Sequence, residues 1–335
     1  MTDTKSDIPS VVERTRPFKA DAPVVAAHFL GQIAVFVLGE EALMFVPKTG
    51  DVRTAAVHGG AILCSTADTG HVVTGGDDGK VVSTDAEGDD TVVATDGKRR
   101  WIDHVAVGPN GAVAWSAGKQ AFARSGKGPE RMLEVPSTVG GLAFAPKGVR
   151  LAIAHYNGVT LWFANAQSAP ETLEWKGSHL AALMSPDGRF VVTSMQESTL
   201  HGWRLADRKD MRMSGYSARV RSLDWTVGGK WLATSGSTQL ILWPFQAKDG
   251  PMGKTPRILA PAEAQVEIVA CHPKQEVVAV GYADGLVLLV RVDDGAEVLA
   301  RRPGDAPVTA LAWSANGNLL AVAAEDGAAG VIDLA

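Results

Sequence analysis

The sequence predicts an all-β chain assembled from one small unit used repeatedly. Three observations carry this. Apolar runs of five to seven residues, rich in Val, Ile, Leu, Ala and Trp, alternate with breaks of Gly, Asn, Asp and Ser. The order of runs and breaks recurs along the chain. No segment sustains the longer periodic pattern that an amphipathic helix requires.

The unit is clearest in SPDGRFVVTSMQESTLHGWRL (185–205): a polar turn ending in Gly188, an apolar run, a second polar break, and a run closing on Trp203. TVGGKWLATSGSTQLILWPF (226–245) repeats it with Trp243, and APKGVRLAIAHYNGVTLWFA (145–164) repeats it with Trp162. SANGNLLAVAAEDGAAGVIDL (314–334) and HPKQEVVAVGYADGLVLLVRV (272–292) carry Ile332 and Val290 in the Trp column. Weaker copies lie at 108–125 and 67–85, and an eighth at 30–46 keeps both runs without the first turn. Each copy is preceded by another short run, starting at Val25, Ala61, Ile102, Val139, His179, Val220, Val266 and Val308, a mean spacing of about 40 residues. A fourth short segment, such as DVRTAAV, ERMLEV or KDMRM, lies between copies.

Four strands per unit at this period is the signature of a β-propeller, a single fold of four-stranded antiparallel blades. The NG, DG and GG breaks supply the positive φ that tight hairpins need. First runs such as VTALAW and VRSLDW are apolar on both faces, as expected for strands covered from both sides. Eight copies favour eight blades over seven. The last copy ends at Ala335 after three strands, and residues 9–18 (PSVVERTRPF) are expected to supply the missing fourth, closing the propeller with an N-terminal strand. Residues 1–8 are expected to form a disordered tail and 9–335 the propeller.

The PDG, NG and GG turns, the apolar-x-x-apolar-x-aromatic first strand and the Trp ending the third strand resemble WD-repeat proteins over roughly residues 9–335. Departures accompany the likeness. Phe163, Arg204 and Pro244 stand where the family has Asp after the Trp, and the Gly-His pair before the first strand is largely missing. The Asp of the tight turn survives as Asp78, Asp284 and Asp326. The family's internal polar network is therefore expected to be incomplete while the shape is kept. The resemblance to short, stand-alone bacterial members implies a non-catalytic interaction scaffold. It leaves as alternatives an accessory role in metal homeostasis beside a metal-handling GTPase, and a metal-dependent hydrolase of lactonase type.

Composition narrows the classes further. With 46% hydrophobic and 21% charged residues, the 335-residue chain is ordinary for a globular protein with a core. A net charge of −5 argues against a nucleic-acid partner recognised through a basic surface. Cys64 and Cys271 lie in apolar runs and read as buried free thiols suited to the cytoplasm. The polar start MTDTKSDIPS has no apolar signal core, and no run is long enough to cross a bilayer, so no membrane is expected. A monomer is expected in isolation.

No catalytic residue, metal site or cofactor is assigned. GPMGKT (250–255) ends like a phosphate loop, but Lys248 stands at the first Gly position and Pro256 follows where a helix should begin. The eight histidines form no HxH or HExxH pattern. His28 and His104 are expected in the core or lining the channel, and His71 and His272 in solvated turns. Asp77, Asp78, Asp89 and Asp90 read as turn residues bonding backbone. No GxSxG or SxxK occurs.

Sorting loops by propeller topology places one residue class unevenly. All three tyrosines, Tyr156, Tyr216 and Tyr282, fall on the face formed by loops entering first strands and joining second to third strands. Trp101, Trp175, Arg99, Arg100, Arg219, Arg301 and Arg302 fall there too. Tyr, Trp and Arg are the types enriched at interface hot spots, so this face is expected to bind a protein or peptide partner.

Overall fold

The computed structural model describes residues 8–335, so the expected tail lies outside the described residues except for Ile8, which packs against apolar core. The repeats fold as the pattern demands. A first strand, β1 (Thr15–Lys19), precedes β2 (Val24–Leu30), β3 (Ile33–Leu38), β4 (Ala42–Pro47) and β5 (Arg53–Ala56). Next come β6 (Ile62–Ala67), β7 (His71–Gly76), β8 (Lys80–Asp85) and β9 (Asp90–Thr95), then β10 (His104–Gly108), β11 (Ala112–Ala117), β12 (Gln120–Ser125) and β13 (Arg131–Glu134). The middle of the chain forms β14 (Gly141–Phe144), β15 (Arg150–Phe163), β16 (Glu171–Met184), β17 (Phe190–Met195), β18 (Leu200–Arg204) and β19 (Lys209–Met213). The rest supplies β20 (Leu223–Trp225), β21 (Trp231–Thr234), β22 (Leu240–Pro244) and β23 (Arg257–Leu259), then β24 (Val266–Cys271), β25 (Val277–Tyr282), β26 (Val287–Arg291) and β27 (Glu297–Arg301), and finally β28 (Val308–Trp313), β29 (Leu319–Ala324) and β30 (Ala328–Asp333).

Among the described residues, seven sheets stand where eight blades were expected. The strands pair antiparallel into seven sheets, six of four strands and one of six, β14 through β19. The difference has a local cause. β15 carries two runs of the fourth repeat without interruption, folding back at Asn157 (φ 70°) and Gly158 (φ 148°) so that Ala164 N–H donates to Val149 O at 3.0 Å. β16 then carries the last segment of that repeat and the first run of the next, with its register broken at His179/Ala181. Eight sequence repeats thus occupy seven sheets.

Two compact units are distinguished. One holds the described residues up to Phe36, with 47–50 and 221–335; the other holds 37–46 and 51–220. In the first, Leu240 and Leu242 pack with Val278, Val280, Leu288 and Val290, and Ala270, Ala279 and Leu289 pack with Leu311, Leu320 and Ile332. In the second, Ala114 and Ala123 pack with Leu151, Ile153 and Trp162, and Val159, Leu161 and Leu173 pack with Val191 and Trp203. The doubly covered strands are not the first of each unit, as expected, but the second and third. β17 and β29 are buried at every position, whereas β28 and β10 are only partly buried. First strands other than β16 lie at a sheet edge.

The turn that opens a copy is reproduced bond by bond at two places. Gly188 N–H donates to Ser185 O at 2.8 Å, and Phe190 N–H to Ser185 Oγ at 2.9 Å, with Gly188 at φ 73°. Gly317 N–H and Leu319 N–H treat Ser314 identically, at 2.8 and 3.0 Å. Side chains then tie successive first strands: Ser222 Oγ accepts from Val269 N–H at 3.0 Å, and Asp224 Oδ2 from Cys271 N–H at 2.7 Å. Burial pushes the Asp224 carboxyl up to about 6 and the Cys64 thiol up to about 12. Both cysteines are free.

The polar network is partial. His58 Nδ1 lies 3.0 Å from Asp78 Oδ1 and its Nε2 lies 2.8 Å from Thr74 Oγ1, while His179 reaches Thr193 Oγ1 at 2.8 Å without an aspartate. His272 is not solvated as expected; it is 6% exposed. Its Nδ1 accepts from Lys274 and Gln275 N–H, which leaves Nε2–H to donate to Gly317 O at 3.2 Å. Burial holds His28 down at about 4 and lowers His104. The 250–255 segment forms turns with no helix behind them.

The N-terminal segment divides its work differently from the single strand expected over 9–18. Pro9 and Val11 bond Leu299 of β27, residues 12–14 form a 3-10 turn, and β1 pairs antiparallel with β30 from Thr15↔Ile332 to Lys19↔Ala328. Gly330 leaves room for this: a Cβ there would meet Thr15 Cγ2 at 2.6 Å.

Deleting residues 1–20 is expected to yield insoluble protein or a melting temperature lower by at least about 10 °C, because the β30 edge and the Leu299 backbone lose their partners. An unchanged melting curve would exclude a structural role for β1. The Trp column is buried as expected, with Trp162, Trp203 and Trp243 at 4%, 2% and 6% exposure. Trp203→Ala is expected to cost about 3–5 kcal/mol in urea unfolding, as a cavity penalty.

Candidate functional site

Within the second unit, the irregularity that joins two repeats also builds a groove. Asn157 and Gly158 make the turn in β15, and only glycine fits at 158, because a Cβ there would lie 2.2 Å from Leu173 O. Bulges and left-handed residues of this kind re-aim side chains. Here they turn Tyr156 outward, 52% exposed, with its N–H donated to Ser137 Oγ at 2.8 Å. Gly177 (φ 126°) makes the second break, and its N–H is received by Asn157 Oδ1 at 3.2 Å. A side chain at 177 would strike Met195 Cε at 2.6 Å.

The resulting groove encloses about 550 Å³ and is lined by Tyr156, Trp175, Lys176, Met195, Glu197 and Arg212, among others. Behind Trp175 lies His201, whose ring stacks on the indole at 3.9 Å and 16°. His201 is fully buried and neither ring nitrogen has a hydrogen-bond partner; Asp210 Oδ2 stands 3.6 Å from Nε2. Burial first, then the neighbouring His179 and Arg212, hold it down at about 3, so the ring is neutral at physiological pH. The floor of the groove is thus apolar and uncharged, and its charges sit on the rim.

The ten residues expected to bind a partner separate sharply. Tyr156 and Trp175 meet in this groove, and Arg219 adjoins it by donating Nη1–H to Gln196 Oε1 at 3.3 Å. Trp101 and Arg99 are exposed on a different turn, Trp101 by 62%. Arg100 is tied down, its guanidinium donating to Asp96 Oδ2 at 2.6 Å and Gln120 Oε1 at 2.8 Å, which holds the Asp96 carboxyl at about 2. Tyr216 is buried, 9% exposed. In the first unit, Tyr282 is corrected from a surface residue to a core one: it is 0% exposed and donates its hydroxyl to Ala260 O at 2.6 Å. Arg301 is half-buried and donates to Gly285 O at 2.8 Å, and Arg302 is exposed. Sequence reasoning missed Lys176, Met195, Glu197 and Arg212; the YNG and KGS breaks flanking Tyr156 and Trp175 were the available signal. Among the described residues, no three His, Cys, Asp or Glu side chains are grouped to hold a metal.

Comparison with known proteins bears on the fold. The model of the WD domain, G-beta repeat, matches residues 209–244, and that of the anaphase-promoting complex subunit 4 WD40 domain matches 269–335. Two stretches of the chain are thus similar to WD-repeat domains, which supports a WD-repeat β-propeller. Among many solved chains of similar fold is the computationally designed Ika8 protein, at 19% identity and TM-score 0.76, covering 94% of this chain and 97% of that one. At that identity the likeness shows the fold alone. No curated protein matches the chain. The buried Trp column and the Ser/Gly turns are part of the sheets' own packing and hairpins, which separates them from the groove around Trp175.

His201 has a depressed folded pKa, so its contribution to stability is full above the unfolded value of about 6.5 and is lost as pH falls toward about 3. His201→Phe, which keeps the ring on Trp175 and removes the proton site, is expected to flatten the loss of stability between these limits by up to about one proton. Urea melts across that range check this; identical pH slopes would contradict it.

Proposed function

We propose that this chain is a non-catalytic interaction scaffold, binding a protein or peptide partner through the groove of Tyr156 and Trp175. The fold class commonly mediates protein–protein interaction. The observation that carries the reading is the coincidence of two things. A half-exposed tyrosine and an indole line one groove, and that groove lies where the regular repeat is broken. Partly exposed rings beside buried apolar side chains are what hot spots are made of, and the short hydrogen-bonded turns around them keep the site pre-organised. β1 is read here as the closing strand of the propeller, the device that keeps such a scaffold rigid.

Tyr156→Ala, which removes the half-exposed ring, is expected to abolish recovery of the native partner from the host while the melting temperature stays within a few degrees. Trp101→Ala, exposed on another turn, is expected to leave recovery intact. The opposite pattern would place the interaction elsewhere.

A further inference from the structure

The rim charges of the groove point to the chemistry of the partner. Three arginines elsewhere in the chain are clamped by carboxylates in their own turns: Arg204 to Asp207 at 2.6 Å, Arg189 to Asp187 at 2.5 Å, Arg291 to Asp294 at 2.5 Å. Lys176 and Arg212, which line the groove, and Arg219, which adjoins it, have no ion-pair partner among the described residues. Asp210, the carboxylate beside Arg212 in β19, lies instead 3.6 Å from His201. The chain as a whole carries −5, so three unpaired cations around one groove invert the local sign of charge.

We infer that the groove takes an extended acidic peptide segment, with an apolar or aromatic side chain seated on Trp175 and Tyr156 and carboxylates reaching Lys176, Arg212 and Arg219. The inference rests on the proposed binding role of the groove and specifies its ligand. Three features fit together. The neutral, buried His201 behind Trp175 and the Met195 side chain make a floor that favours an apolar anchor. The free cations steer and orient carboxylates at the rim, where such pairs mainly raise the association rate and set the register. Glu197 is the one carboxylate among the lining residues, and it opposes a uniformly anionic strand. That counts against single-stranded nucleic acid, which would otherwise suit rings beside cations.

The test is selection of a random short-peptide display library on the full chain, followed by fluorescence anisotropy with the recovered peptides and with an oligothymidylate probe. Recovered sequences are expected to be rich in Asp and Glu around an apolar or aromatic residue, with affinity falling as salt rises. Lys176→Glu with Arg212→Glu is expected to weaken them about tenfold or more and to gain affinity for versions carrying Lys in place of the acids. Should that protein not fold, Lys176→Gln with Arg212→Gln gives a smaller loss in the same direction. Neutral or basic peptides whose binding Tyr156→Ala still weakens would overturn the acidic ligand and leave the groove as the binding site. Failure to recover any peptide sensitive to Tyr156→Ala would overturn both. Tighter binding of oligothymidylate, lost with Tyr156→Ala, would replace the peptide with nucleic acid.

Discussion

The constraint on which this structure depends is that a four-stranded sheet of short apolar strands has two faces to cover and, among the described residues, no α-helix to cover them. β17 and β29 are buried at every position, so neither pleat face of these strands can meet water. A sheet of this size is close to the lower limit for independent stability even with one face covered. The covering surface must come from other copies of the same unit, and the clusters in each compact unit are of that kind: side chains of one repeat packed against the next. Repetition here is what makes burial possible at all.

Packing of one copy on another demands that each copy present nearly the same surface. That explains why the turn at Ser185–Gly188 recurs with equivalent bonds at Ser314–Gly317. It also explains why large aromatic or branched side chains, Trp162, Trp203, Trp243, Val290 and Ile332, fill equivalent interior places. The polar network that accompanies this architecture is reduced to His58–Thr74–Asp78 and to the pairs His155–Thr160 and His179–Thr193, and the sheets persist with it incomplete. Apolar packing and the backbone ladders therefore carry most of the fold, with polar groups adding local register. The Ser222 and Asp224 bonds to β24 are of this second type.

Where the repeat departs from its own rule, surface appears that packing does not consume. β15 and β16 run through two repeats, and their breaks at Asn157–Gly158 and Gly177 leave Tyr156 and Trp175 at a groove instead of between sheets. Function on a repeat scaffold is carried by such departures, because the regular positions are committed to covering neighbours. The contrast between clamped arginines in ordinary turns and unpaired Lys176 and Arg212 at the groove follows the same division.

The strand-forming runs, the positive-φ turns, the buried Trp column and the all-β repeat were legible in the sequence because each is local: alternation, glycine placement and residue size act within a few positions. Side-chain exposure was not legible in this way. Tyr156 and Tyr282 occupy comparable places in the repeat, yet the first is half-exposed and Tyr282 is sealed in the core with its hydroxyl on Ala260. His272 sits in a turn and is buried because Gly317, 45 residues away, accepts its Nε2–H. The merging of two repeats into one six-stranded sheet, and the groove it opens, depend on whether two strands run on without a break, which no single stretch of residues dictates. Local conformational preference set the units; contacts between residues far apart in the chain decided which of their side chains remain free to act.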